Sequence, residues 1–145
     1  MTHPPKIKRK VVVIDQDVVK SVAWLSLSGV APQVYTLFLT KRRMEKMKRR
    51  GSKEYICTNN RELIFPYREA ESNYKITQPR FLRAIDQLID HGFIDIAKLG
   101  RPVAKEPTEY ALSERWREYG KAGFQQKKRQ KVKAGFCRTR KCQAK

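Results

Sequence analysis

The run Thr77-Gln78-Pro79-Arg80-Phe81-Leu82-Arg83-Ala84-Ile85-Asp86-Gln87-Leu88-Ile89-Asp90-His91-Gly92 decides how this chain folds. Phe81, Ala84, Ile85, Leu88 and Ile89 recur at alternating steps of three and one, which gathers them on one face of an α-helix. Thr77 stands at the N-cap position, and Pro79 lies in the first turn, where a missing N–H breaks no helical bond. Gly92 follows as the stop. The spacing predicts a helix over about 77–91. Away from its apolar face it presents Arg80, Arg83 and Gln87 at i, i+3 and i+7, with Thr77 and Gln78 at its N-terminus.

Beyond Gly92, Phe93-Ile94-Asp95-Ile96-Ala97 has strand composition. A turn-rich loop runs from Leu99 to Pro107, and Thr108-Glu109-Tyr110-Ala111-Leu112 is a second strand. The pair reads as an antiparallel hairpin with a long tip, which carries Lys98, Arg101 and Lys105. Ser113 then caps a last short helix through Trp116 and Tyr119, ending at Gly120.

On the N-terminal side, Tyr74-Lys75-Ile76 connects the long helix to a short polar helix at about 68–73. Tyr55-Ile56-Cys57 is a short β candidate with Asn59-Asn60 as its turn. Val30, Val34, Leu37, Phe38 and Met44 share a helical face, so a helix is expected over about 30–49, capped by Ser28. Its basic end, from Lys41 to Arg50, suits the macrodipole, and Gly51-Ser52 stops it. Ser21 to Leu27 reads as a helical turn with Trp24 pointing inward, and Val11 to Ile14 as a short strand.

Helix, short strand, helix, turn, helix, hairpin is the order of a winged helix-turn-helix. The expected class is therefore α+β, mainly α, with a C-terminal β-hairpin wing. Residues 1–20 form a basic N-terminal arm, 21–120 the domain, and 121–145 a basic, disordered tail. In such a fold the second helix of the pair enters the major groove, which is about 12 Å wide and admits one α-helix. Arginine pairs bidentately with guanine and glutamine with adenine. The candidate readers are thus Gln78, Arg80, Arg83 and Gln87. Thr77 and Lys75 lie at the helix N-terminus, where phosphate is favoured. Lys98, Arg101 and Lys105 of the wing would touch phosphates or the minor groove. The plainer alternative pairs Arg80 and Arg83 with Glu69, Glu71 or Asp86 on a solvated surface, and treats the wing bases as loop solubilisers.

Composition points the same way. The 145 residues carry 33 Lys+Arg against 14 Asp+Glu, a formal charge of +19, so a polyanion is the expected partner: nucleic acid first, an acidic membrane surface second. Residues 1–53 hold 13 bases and 3 acids, 54–120 hold 10 and 11, and 121–145 hold 10 and none. A nearly neutral centre lies between two basic flanks. The last stretch has only Phe124, Phe136 and Val132 as large apolar residues, too few to offset the entropy of ordering it. Within it Lys121-Ala122-Gly123-Phe124 recurs as Lys133-Ala134-Gly135-Phe136.

Ser21-Val22-Ala23-Trp24, Leu27-Ser28 and Val34-Tyr35 resemble the start of winged-helix proteins of plasmids, prophages and other mobile elements. Asn59-Asn60-Arg61-Glu62-Leu63 with Tyr67 is similar to their connecting segment. Ile76-Thr77, Phe81, Arg83-Ala84-Ile85, Leu88 and Gly92-Phe93-Ile94 are similar to their recognition helix and first wing strand. The likeness spans about residues 21–113. It implies sequence-specific binding of double-stranded DNA in transcription regulation or replication initiation. Two rival classes stand beside it: a basic RNA-binding or ribosome-associated protein that works through its tails, and a winged-helix protein-interaction module.

Other chemistries find little support. No Gly-rich phosphate loop and no nucleophile–base arrangement stands out, so no enzyme is expected. Cys137 and Cys142 have C-x4-C spacing, but a zinc site needs about four ligands, and Cys57, His3 and His91 are distant in sequence. No metal or other cofactor is expected. Three scattered cysteines form no disulfide framework, and the apolar run Val11–Ile14 is too short for a signal peptide, so a reducing cytoplasm is the expected compartment. The uncharged stretch between Lys20 and Lys41 has the length of a membrane span but contains Ser21, Ser26, Ser28, Gly29, Pro32 and Gln33, so no membrane span is expected, and nucleic acid rather than membrane is the expected partner. No heptad run marks a coiled coil; a dimer would form through a flat surface.

Overall fold

The computed structural model describes residues 10–51 and 53–129, and its elements follow the apolar spacing of the chain. In chain order they are helices Gln16–Lys20 (α1), Val22–Leu25 (α2) and Ala31–Thr40 (α3), then strands Met44–Lys46 (β1), Tyr55–Cys57 (β2) and Leu63–Ile64 (β3). Helices Tyr67–Tyr74 (α4) and Gln78–Asp90 (α5) and strands Ile94–Lys98 (β4) and Glu109–Leu112 (β5) complete them. Short 3₁₀ turns occupy Pro102–Ala104 and Arg115–Glu118. The class is α+β with a small antiparallel sheet.

The core is assembled around α5. Its Phe81, Ala84, Ile85, Leu88 and Ile89 are buried, as their spacing predicts. They meet Val34, Phe38 and Leu39 of α3, Ala70 of α4 and the linker residue Ile76, all buried. Aromatic rings fill the space between layers. Phe38 meets Phe65 and Tyr110 edge-on at centroid distances of 5.3 and 5.2 Å, and Phe93 stacks on Trp116 at 6.0 Å. Each such contact adds about 0.5–1.5 kcal/mol beyond area burial.

The stop of α5 is a Schellman turn. Phe93 N–H donates to Leu88 O at 2.9 Å and Gly92 N–H to Ile89 O at 3.2 Å, with Gly92 at φ +86°. Glycine is required twice over at this position. Besides the left-handed backbone, a Cβ there would lie 2.7 Å from Trp116 N. The turn delivers Phe93 to the core and starts β4. Strands β4 and β5 form an antiparallel hairpin pairing Ile94 with Leu112 and Ile96 with Tyr110, and β3 adds to the other edge of β5, giving the order β3-β5-β4.

Four expectations are corrected. The helix starting near residue 30 ends at Thr40, not near 49, because the apolar face stops at Leu39 and the next apolar residue, Met44, is exposed. Asn59 takes over the backbone there: its Oδ1 accepts Arg43 N–H at 2.7 Å and its Nδ2 donates to Lys41 O at 3.0 Å. Residues 44–46 become a strand paired with 55–57. Val11–Ile14 is not a strand; Val11 and Val13 are exposed, and only Ile14 packs against the core. Ser28 does not cap α3, whose N-cap position is Val30. Residues 121–129, expected to be a free tail, run against α5 and β4. The second copy of the Lys-Ala-Gly-Phe repeat, Cys137 and Cys142 lie outside the described residues, as do residues 1–9.

Candidate nucleic-acid interface

The α4–α5 connection fixes the N-terminal end of α5. Lys75 caps α4 in the left-handed conformation, φ 57°, with its N–H donating to Glu71 O, and Ile76 behind it is buried. Left-handed backbone costs a residue with a Cβ about 1–2 kcal/mol. Among the described residues Lys75 and Lys105 are the two non-glycines that adopt it, and both are exposed sequence-predicted phosphate contacts. Thr77 stands at the N-cap as expected, but its hydroxyl makes no capping bond. The first-turn N–H groups of α5 thus receive no side-chain cap from Thr77 beside Lys75.

Gln78, Arg80 and Arg83 are exposed on the N-terminal half of α5 and make no hydrogen bond or ion pair with the described residues. Two of the acids that the plainer reading would give them are engaged elsewhere. Glu69 holds Lys41 at 2.6 Å, and Asp86 holds Arg129 through Nε and Nη2. Gln87, expected among the base readers, is hydrogen-bonded within the fold. Its Oε1 accepts Ser28 N–H at 2.9 Å and its Nε2 donates to Ser28 Oγ at 3.0 Å, so both ends of the amide tie α5 to the loop before α3.

Residues 126–129 contact the C-terminal half of the exposed face of α5, where Asp86 stays half exposed. Gln126 Nε2 donates to Asp90 Oδ1, Arg129 pairs with Asp86, and Lys127 approaches Asp95 of β4 at 3.5 Å. Arg115 organises this side and was not singled out from the sequence. Its guanidinium donates to Asp95, to Ile89 O at 3.0 Å and to Gln125 O at 2.8 Å, and lies over the Phe124 ring. Burial by itself would raise the Asp95 carboxyl; the hydrogen bonds and charge of Arg115, with Lys127 and Ser113, outweigh it and hold the group below its ordinary value. A sequence signal existed only in part, as a lone Arg after a capping Ser.

At the hairpin tip, Arg101 is bound bidentately by Glu106, at 2.9 and 3.2 Å, which moderates it as a phosphate ligand. Lys98 lies 4.0 Å from Glu109 and stays half exposed, Lys105 is exposed, and Val103 between them is 99% exposed. Gly100 lets the two arms of the tip close, since a Cβ there would stand 2.6 Å from Glu106 O.

Lys75, Thr77, Gln78, Arg80 and Arg83 thus lie at one end of α5, and Lys98, Arg101 and Lys105 lie on the hairpin. Among the described residues no three His, Cys, Asp or Glu side chains form a metal cage, and no helix is long and apolar enough to cross a membrane. Comparison with protein-family models, with curated proteins and with solved structures finds no match for the chain.

Proposed function

We propose that the chain is a sequence-specific double-stranded DNA-binding protein of the winged helix-turn-helix kind. In this reading the N-terminal half of α5 enters the major groove, Gln78, Arg80 and Arg83 meet base edges, and Lys75 with the α5 N-terminus holds a phosphate. The β4–β5 hairpin is the wing, with Lys98 and Lys105 on the backbone. The order of α3, β3, α4, α5 and the hairpin, with β5 between β3 and β4, supports it. One observation carries the reading: Arg80 and Arg83 are left without partners among the described residues, while on the same helix Asp86 pairs with Arg129 and Asp90 accepts a hydrogen bond from Gln126. A cationic N-terminal end and a far end whose Asp86 is ion-paired suit docking by the first turns. The resemblance to regulators and initiators of mobile elements supports a role in transcription or replication control. A reducing cytoplasm suits the free Cys57.

Selection of bound fragments from a random duplex pool at physiological salt tests it. A defined consensus is expected. Arg83→Ala should then cost about 1–3 kcal/mol on that site and relax preference at one base. A small loss that is equal on every sequence would overturn base reading. So would a pool that never converges.

A further inference from the structure

We infer that the β1–β2 ribbon is a second nucleic-acid arm, which lies in a groove of duplex DNA flanking the site read by α5. The inference rests on the duplex-binding reading above but uses none of its residues. Among the described residues the ribbon's strands pair only with each other, in register Met44 with Cys57, Glu45 with Ile56 and Lys46 with Tyr55. Backbone bonds from Thr58 to Arg43 O at 2.9 Å and from Met47 to Glu54 O at 2.8 Å extend the ladder at both ends. Strand alternation puts Met44, Lys46, Tyr55 and Cys57 on one face and Glu45, Met47, Glu54 and Ile56 on the other, so the bases of the tip and the first face are the side offered to a polyanion. Neither face is covered: Tyr55 is 61% and Ile56 48% exposed.

A two-stranded ribbon with no packed face is marginal on its own, and its open edges invite association. Its composition states which partner it suits. From residue 46 to 53 the chain carries Lys46, Lys48, Arg49, Arg50 and Lys53 and no acid. Such a tip repels a second copy of itself and is attracted to a polyanion. The major groove admits a two-stranded ribbon, its walls are phosphates, and apolar side chains suit thymine methyls or, in the minor groove, base steps. The base of the arm is anchored where this geometry needs it. Asn59 clamps Lys41 and Arg43, and Lys41 pairs with Glu69 of α4, the first helix of the helix-turn-helix. An arm rooted there is carried along when α5 docks.

The test uses the full chain and two substitution sets, Lys48→Ala/Arg49→Ala/Arg50→Ala in the ribbon and Arg80→Ala/Arg83→Ala in α5. Binding is followed across a salt series on a duplex with flanks and on the same duplex trimmed to the selected consensus. The ribbon set should weaken binding to the flanked duplex about tenfold or more near physiological salt and make the slope of log K against log salt shallower by about two to three. It should leave the consensus and the trimmed duplex nearly unaffected, and hydroxyl-radical protection should shrink in the flank. Arg49→Lys/Arg50→Lys should keep the slope. If no consensus emerges and the α5 set changes nothing, the α5 reading fails while the ribbon is still scored, by the slope on random-sequence duplex. An unchanged slope and footprint for the ribbon set overturn the inference. So does a change in oligomeric state in sedimentation without a change in DNA binding, which would assign the ribbon to a second copy.

Discussion

Gln87 and Arg83 lie one turn apart on α5, and their side chains meet different fates. The amide of Gln87 matches the donor and acceptor of one residue, the Ser28 N–H and Oγ, and is consumed by them. Arg83 meets no such pair among the described residues. Gln87 is therefore a fastener between α5 and the α2–α3 loop. Gln87→Ala should lower stability by about 1–2 kcal/mol, because it removes two hydrogen bonds and leaves Ser28 N–H to water. It should leave the selected DNA consensus unchanged. Thermal melts and the random-pool selection read the two effects separately. A change of one base in the consensus with no loss of stability would return Gln87 to the readers. A sequence alone does not separate such residues, because Ser28 is 59 residues away and only tertiary packing brings it to α5.

At the scale of elements, Arg115 joins three parts by one side chain: the last turn of α5 through Ile89 O, β4 through Asp95, and the following segment through Gln125 O. Asp95 has its carboxyl held below its ordinary value, so the stability it contributes is complete above about pH 4, near its unfolded value, and is lost as pH falls through its lower folded value. Asp95→Asn should cost about 1.5–3 kcal/mol at neutral pH, where the carboxylate accepts charge-assisted hydrogen bonds, and less near pH 2. Urea melts at the two pH values check this, and an equal cost at both would refute the linkage. This junction was hidden in the sequence for the same reason as Gln87, since its members are spread from Ile89 to Gln125. What was legible is local. The period of Phe81, Ala84, Ile85, Leu88 and Ile89 and the Gly92 stop specify α5 by themselves, and the alternation around Ile94 and Tyr110 specifies the hairpin. The end of α3 was misread because its decisive partner, Asn59, is contributed from beyond β2, and a run of Lys and Arg is as compatible with a ribbon as with a helix end.

For the whole molecule, the partition of charge matters more than its sum. The stretch 54–120 is nearly neutral and both flanks are strongly basic, yet the two are not independent. Lys127 and Arg129 of the C-terminal flank sit against Asp95 and Asp86, so part of the flank's charge cancels acids that, if α5 docks on a duplex as proposed, would repel its phosphates. Lys131 and Lys133 lie outside the described residues and provide a charge-matched comparison. Lys127→Ala/Arg129→Ala should therefore weaken duplex binding by more than Lys131→Ala/Lys133→Ala, although both remove two charges. In the duplex-binding reading the excess is the repulsion of the uncovered carboxylates, which acts over about a Debye length, near 10 Å at 0.1 M salt. Adding Asp86→Asn to the first pair should restore a large part of the loss, and adding it to the second should do much less. Binding isotherms on one duplex at low and physiological salt make the comparison. Equal losses for the two pairs, or no recovery with Asp86→Asn, would mean that the segment 124–129 adds charge to the molecule without shaping the field at its reading helix.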